Sequence, residues 1–373
     1  MKRFMLNVPC PLGTESITAH QINMLGYETS CVDGCVNFEG DEEAVALCNI
    51  NIRSGERVLI KMGEFKALSF TELFDNVKKL PWEDFIGKND TFPVKGYSLK
   101  SKLFSVPDCQ SIIKKAVVQR LSEKYNISWF EETGPMYRIQ FSIMKDVVSI
   151  YIDTTGAPLY KRGYRAEGVL APLRETLAFA MIDISRWRGD RPFIDPFCGS
   201  GTIPIEAAMY ALNIAPGKNR HFECEKWAMF NNSTFKDARE EACDNEKRGE
   251  KVEIYGSDID SDAVGLSIQN AKKAGVGDSI RFFRSDVKDV RAFADKGIVM
   301  CNPPYGERLM DKKSVERLYA AMGRKFAEYK NASKLILTSY EDFEKFFGEN
   351  ADKKRKLYNG MLKCNLYMYF PKR

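Results

Sequence analysis

A chain of 373 residues is too long for one ordinary domain and suits two or three. Hydrophobic residues make up 44% and charged residues 29%, the balance of a soluble globular protein with a sizeable core, and no apolar run approaches membrane-spanning length. The net charge of +5 permits a polyanionic partner without requiring one.

Residues 1–65 read as a small α/β unit. Phe4 to Val8 is predicted as a strand, and Glu15 to Leu25 as a helix stopped by Gly26. Cys35 to Phe38 is a second strand. Asp41-Glu42-Glu43 opens a helix, with acids at its positive end. Arg57 to Lys61 is a further strand. Residues 66–155 read as a second α/β unit. A helix starts at Val106-Pro107-Asp108 and carries an apolar stripe at Ile112, Ile113, Ala116, Val117 and Leu121. A hairpin follows, Tyr137 to Ile143 and Val147 to Ile152, around Met144-Lys145-Asp146.

Residues 156–174 change character. Lys161, Arg162, Arg165 and Arg174 stand against Glu167, with Gly156, Gly163 and Gly168 as punctuation. This is the expected linker. Pro172 fits the first turn of a helix running through Leu177 and Ala180. Residues 175–373 form the last unit. Short strands at Pro192–Asp195, Val252–Ser257, Ile280–Arg284, Gly297–Cys301 and Lys334–Thr338 alternate with helices, the pattern of a doubly wound parallel sheet. The end differs. Lys356 to Tyr358 and Met361 to Phe370 flank Asn359-Gly360, a hairpin signal.

Two segments carry chemistry. Asp195-Pro196-Phe197-Cys198-Gly199-Ser200-Gly201-Thr202 follows a strand and opens a helix, and its glycines allow close approach of backbone to a ligand. Asp258, with Ile259 beside it, ends the next strand, where an acid can hold both ribose hydroxyls of an adenosine. Asp286 ends the third and could accept from an adenine amine. A Gly-x-Gly also serves simple tight turns. The dinucleotide alternative lacks Gly-x-Gly-x-x-Gly, because Pro204 stands at the third glycine's place.

The second segment, Asn302-Pro303-Pro304-Tyr305, ends the fourth strand. An exocyclic base amine is a poor nucleophile, because its lone pair is delocalised into the ring. The Asn302 side-chain oxygen and the Pro303 carbonyl can draw it towards a tetrahedral, localised form. The prolines stiffen the backbone and remove competing N–H donors. Tyr305 offers a face on which a flipped-out base can stack. Transfer is then an in-line displacement governed by positioning, without a strong base. The competing view is a Pro-rich loop with an exposed tyrosine.

Cys198 and Cys301 adjoin these motifs, and a covalent attack on pyrimidine C5 would need a cysteine. They are read instead as packing. The ten cysteines form no Cys-x-x-Cys pair, and His20 and His221 are the only histidines, so no metal is expected. Met1-Lys2-Arg3 leads into a short run broken by Pro9 and Pro11, with no signal peptide. The expectation is a reduced cytoplasmic protein. His221 and Trp227, in the insertion 213–250, are expected to pack over the cofactor edge.

On these motifs the sequence resembles the class I S-adenosylmethionine-dependent RNA methyltransferases that carry a THUMP domain. Tyr160 to Arg165 with Ala171-Pro172-Leu173-Arg174-Glu175 is similar to the segment joining the two parts in that family. The resemblance implies an α/β architecture: a ferredoxin-like unit, a THUMP domain, and a Rossmann-like seven-stranded sheet with an antiparallel last strand. It implies S-adenosylmethionine as cofactor, with Asp195, Pro196, Phe197, Gly199, Gly201, Thr202, Asp258, Ile259, Asp286 and Asn302 around it. It implies catalysis by Asn302, Pro303, Pro304 and Tyr305. It is nearest to the bacterial large-subunit ribosomal RNA guanine-N2 methyltransferases in their short form. Guanine-N2 methylation of tRNA is the alternative, followed by adenine-N6 methylation and a non-catalytic RNA-binding module. The expected RNA contacts are Lys95, Lys100, Lys102, Lys114, Lys115, Arg162, Arg165 and Arg308, which would set affinity and not sequence choice. No membrane partner is expected.

Overall fold

The computed structural model describes residues 3–165, 173–230, 233–291, 296–305 and 311–371. The first half builds β1 (Phe4–Pro9), α1 (Glu15–Met24), β2 (Thr29–Val32), β3 (Cys35–Gly40), α2 (Glu42–Asn51), β4 (Leu59–Lys66), α3 (Phe70–Lys78), β5 (Val94–Leu99), α4 (Val106–Tyr125), β6 (Arg138–Met144) and β7 (Val147–Asp153). Its strands form one sheet in the order β2-β3-β1-β4-β7-β6-β5. β4 pairs antiparallel with β1 on one side and with β7 on the other. The divide expected at 65/66 therefore falls at the end of a strand that both units share. Leu6, Val8, Ile60, Val117, Ile139 and Ile150 lie in one buried cluster.

Local chemistry explains the elements. Asp41 caps α2 by accepting from the Ala44 amide at 3.1 Å, and Glu42 and Glu43 follow in the first turn. The stripe of α4 is buried at Cys109, Ile113, Ala116, Val117 and Leu121, and the helix ends on Asn126 in the left-handed region, φ 53°. Lys145 and Asp146, both at positive φ, turn β6 into β7. β2 and β5 add to the strands expected from sequence. Both are edge strands, and three of the four residues of β2 are exposed, so their apolar alternation is weak.

The second half builds α5 (Glu175–Ile184), β8 (Phe193–Asp195), α6 (Thr202–Ala211), α7 (Thr234–Asp244), β9 (Ile254–Asp258), α8 (Ser261–Lys273), β10 (Ile280–Arg284), β11 (Ile298–Cys301), α9 (Lys312–Phe326), β12 (Ser333–Thr338), α10 (Phe343–Phe347), β13 (Lys353–Asn359) and β14 (Leu362–Tyr369). The sheet order is β10-β9-β8-β11-β12-β14-β13. The first five are parallel, and β14 runs antiparallel to both neighbours. The order reverses between β8 and β11. That switch point opens a crevice at the carboxyl ends of these strands.

Three expectations change. The closing turn is Gly360-Met361, one residue later than the Asn-Gly signal, because Asn359 stays in the ladder opposite Leu362. α5 begins at Glu175 with Arg174 at its N-cap, so Pro172 precedes the helix, and Pro172 itself lies outside the described residues. His221 and Trp227 do not pack over the cofactor edge. Trp227 stacks on Tyr137, ring centroids 4.3 Å apart, and its indole donates to the Met136 carbonyl at 2.9 Å. Its insertion is drawn to the core of the first half, where Phe222, Phe230 and Phe235 join the same cluster. The His221 side chain is 93% exposed beside Glu225.

Candidate functional site

β8 and α6 present the glycine-rich turn at the switch point. Asp195 is buried, and its carboxylate accepts from the Phe197 amide at 3.0 Å. Burial pushes its pKa well above the ordinary carboxylate range, and the charge of Asp258 adds to that against the Phe197 hydrogen bond. Asp195 thus shapes the turn from beneath. Pro196 is buried with it, and Phe197 packs on the core between the sheet and α9. Gly199 and Gly201 take φ values of 50° and 86°. A Cβ on Gly201 would come within 2.9 Å of Ser267, so α6 and α8 meet closely there. Thr202 opens α6. The Asn270 amide braces the turn by donating to the Ser200 carbonyl at 2.9 Å.

Asp258 closes the rim. One carboxylate oxygen accepts from the Gly199 amide at 2.9 Å and the other from the Asp260 amide at 3.1 Å. A carboxylate has about four lone-pair sites, so two remain for a pair of ribose hydroxyls. Ile259 beside it is 60% exposed, an apolar surface fit to cover a base. Asp286 stands half-exposed past β10, accepting from the Lys288 amide at 3.0 Å and 3.6 Å from its ammonium. These groups suit an adenosine-bearing ligand.

Asn302-Pro303-Pro304-Tyr305 follows β11 directly, across the switch point from that turn. The Asn302 side-chain oxygen is buried and, among the described residues, has no hydrogen-bond partner. An orphaned acceptor at such a place costs stability, which an approaching donor would return. The loop around it is braced. Tyr319 donates to the Pro304 carbonyl at 3.1 Å and lies 3.0 Å from the Thr338 hydroxyl. Of the two proline carbonyls, that of Pro304 is therefore engaged. Tyr305 is half-buried, and burial pushes its hydroxyl up to about 12, with Cys364 raising it and Asn359 opposing. It stays a neutral phenol. Cys198 and Cys301 are buried thiols held protonated by desolvation, which fits packing and not attack on a base.

The residues expected at RNA divide. Lys95, Lys100, Lys102 and Lys115 are exposed. Lys114 is not available in the same way: it donates to the Phe92 carbonyl at 3.1 Å, pairs with Glu132, and sits 3.6 Å from the Phe92 ring centre. Arg308 lies outside the described residues. Arg162 and Arg165 are corrections. Arg162 is buried, donating to the carbonyls of Leu159 and Arg53 at 2.9 and 2.5 Å and pairing with Glu206 at 3.2 Å. Burial pulls against its charge, but Glu206 holds its pKa above the ordinary value. Arg165 pairs with Glu175 and donates to the Thr202 hydroxyl at 3.0 Å. The described part of the expected linker, through Arg165, is thus a packed seam, tied to the first turn of α6. Sequence reasoning missed Glu206, Glu175, Tyr319 and Thr338. Each acts on a partner 10 to 44 positions away, which no local pattern signals.

Comparison with known proteins fits this geometry. Family models match as the RlmL ferredoxin-like domain over residues 5–59, the THUMP domain over 67–153, and the RMKL-like methyltransferase domain over 162–368. The "Putative RNA methyltransferase YpsC" of Bacillus subtilis (strain 168) is 44% identical over 375 residues, covering 100% of this chain and 97% of that protein. The "Ribosomal RNA large subunit methyltransferase K/L" of Psychromonas ingrahamii is 33% identical over 98% of this chain, which spans 50% of that protein's length. A crystal structure of SMU.472, described as "a putative methyltransferase complexed with SAH", is 41% identical with a TM-score of 0.94, covering 100% of this chain and 99% of that one. A structure from Listeria monocytogenes str. 4b F2365, described as "a predicted N6-adenine-specific DNA methylase", is 46% identical with a TM-score of 0.94, covering 100% and 97%.

Proposed function

This chain belongs to the family of RMKL-like methyltransferases that carry a THUMP domain, and from that premise we propose that it methylates the N2 amine of a guanosine in 23S ribosomal RNA. As a member it is an S-adenosylmethionine-dependent RNA methyltransferase. The base and the RNA are the finer reading. The observation that carries amine methylation is the Asn302 side-chain oxygen at the end of β11, buried and unpartnered among the described residues.

The residues fit the cofactor. The Gly199–Gly201 turn admits a ligand against the backbone, and Asp258 has acceptor capacity for its ribose. S-adenosylmethionine, when bound, supplies an electrophilic methyl group. The chain's own part is to present the nucleophile. Tyr305 supports the base face, and Asn302 accepts from the amine, localising its lone pair. The methylated amine is acidic until it loses a proton, and water takes it, so no side-chain base is required. An RNA substrate is favoured by the THUMP match, and ribosomal RNA by the Psychromonas relative's name. Guanine N2 rests on the family resemblance, because the motif suits any exocyclic amine.

The test is nucleoside mass spectrometry of fractionated RNA from cells lacking this chain. N2-methylguanosine is expected to fall in the large-subunit ribosomal fraction and to return when the chain is supplied again. A loss confined to tRNA sinks the ribosomal reading. A loss of N6-methyladenosine instead sinks the guanine reading.

A further inference from the structure

A cavity of about 330 Å³ opens between the loop after β1 and the tip of the β13–β14 hairpin. We propose that it receives the base of the nucleotide adjacent to the methylated one, an inference that rests on the proposed methylation of RNA. Its walls are apolar side chains left in water: Leu12 is 45% exposed and Met361 is 99% exposed. A fully exposed methionine at a hairpin tip gains nothing for the fold, but its flexible, polarizable thioether suits an aromatic ring. The volume is at the small end for ligand sites, adequate for one base and too small for a folded partner's anchor helix.

The inner edge of the cavity is polar and ordered. Glu56 accepts from the Thr176 hydroxyl at 3.0 Å and faces the Arg174 guanidinium at 3.4 Å. Arg174 is itself held over the Tyr160 ring, 4.8 Å from its centre. An acceptor and a donor are thus fixed side by side under an apolar mouth, which is what two-point reading of a base edge requires. The position is right as well. Gly360 lines the cavity, and Cys364, on the strand that follows the tip, has its thiol 4.0 Å from the Tyr305 hydroxyl. The target base is drawn out of its stack towards Tyr305, so its neighbour loses a stacking partner. A pocket at the tip of the same hairpin offers a replacement.

The test replaces Met361 by the photo-reactive p-benzoylphenylalanine and irradiates the protein with transcribed 23S ribosomal RNA. Met361 is outside the core, so folding is not at stake, and methyl transfer by the same sample is measured first. Crosslinks are expected within one or two nucleotides of the modified base. Crosslinks elsewhere, a crosslink only to protein, or none while methylation proceeds overturn the proposal. Independently, Met361→Glu is expected to raise KM for the RNA about tenfold, with S-adenosylmethionine affinity unchanged and Met361→Leu restoring KM. An unchanged KM in Met361→Glu contradicts it. If the wild type methylates another RNA or another atom, the guanine reading fails, yet the distance from crosslink to modified base still decides the pocket.

Discussion

Asn302→Ala is expected to lower kcat for methyl transfer by about 10²–10³-fold, the loss typical when one fixed hydrogen-bonding group is removed from a transition state. Affinity for S-adenosylmethionine should stay nearly unchanged. The reason is geometric. Among the described residues the buried Asn302 oxygen has no partner, so it is free to accept from an incoming amine. In the proposed site, contacts to the cofactor fall to Asp258 and the Gly199–Gly201 turn, on other strand ends. Asn302→Asp keeps an acceptor and should lose less. Calorimetry with the cofactor and single-turnover transfer on RNA separate the two quantities. An equal loss of cofactor binding and of transfer in Asn302→Ala would count against Asn302 as the acceptor for the amine.

Arg162→Met is expected to be the most destabilising single change in the seam. Its side chain is 1% exposed and that of Glu206 is 0% exposed, and removing one member of such a pair leaves the other charge uncompensated. The cost should be about 3–5 kcal/mol, seen as a melting temperature lower by roughly 10 °C. The double variant Arg162→Met with Glu206→Met should recover most of that, because no charge is then stranded. The Arg162 guanidinium also bonds the Arg53 carbonyl, and burial pulls Arg53's own pKa down to about 10. Loss of Arg162 should therefore loosen the first half against the second, which limited proteolysis near residues 156–165 would report. A surface, RNA-contacting Arg162 would predict the opposite: an unchanged melting temperature and weaker RNA binding.

That contrast shows where the sequence was legible. The strands of the parallel sheet were readable because β8 and β11 are wholly buried, β11 spelling a continuous apolar run and β8 an apolar pair ending on Asp195. Asp195 to Thr202 and Asn302 to Tyr305 were readable because glycine, proline and a strand-end acid leave local marks. Arg162 and Arg165 misled. A basic, glycine-punctuated stretch looks like surface, and the acid that buries Arg162 lies 44 positions away. Trp227 misled for the same reason, since its carbonyl partner Met136 is 91 positions distant. The hairpin turn slipped by one residue. Asn359-Gly360 and Gly360-Met361 both place a glycine where φ is positive, and the choice is made in the ladder opposite Leu362.

Methyl transfer to an exocyclic guanine amine in large-subunit RNA can be observed directly with purified components. The chain is incubated with 23S ribosomal RNA from cells lacking it and S-adenosylmethionine bearing a deuterated methyl group. The RNA is then digested and its nucleosides are resolved by mass spectrometry. The predicted result is label in N2-methylguanosine, absent with the Asn302→Ala protein. Label in N6-methyladenosine or in a C5-methylated pyrimidine, or label taken up by tRNA and not by ribosomal RNA, would contradict it.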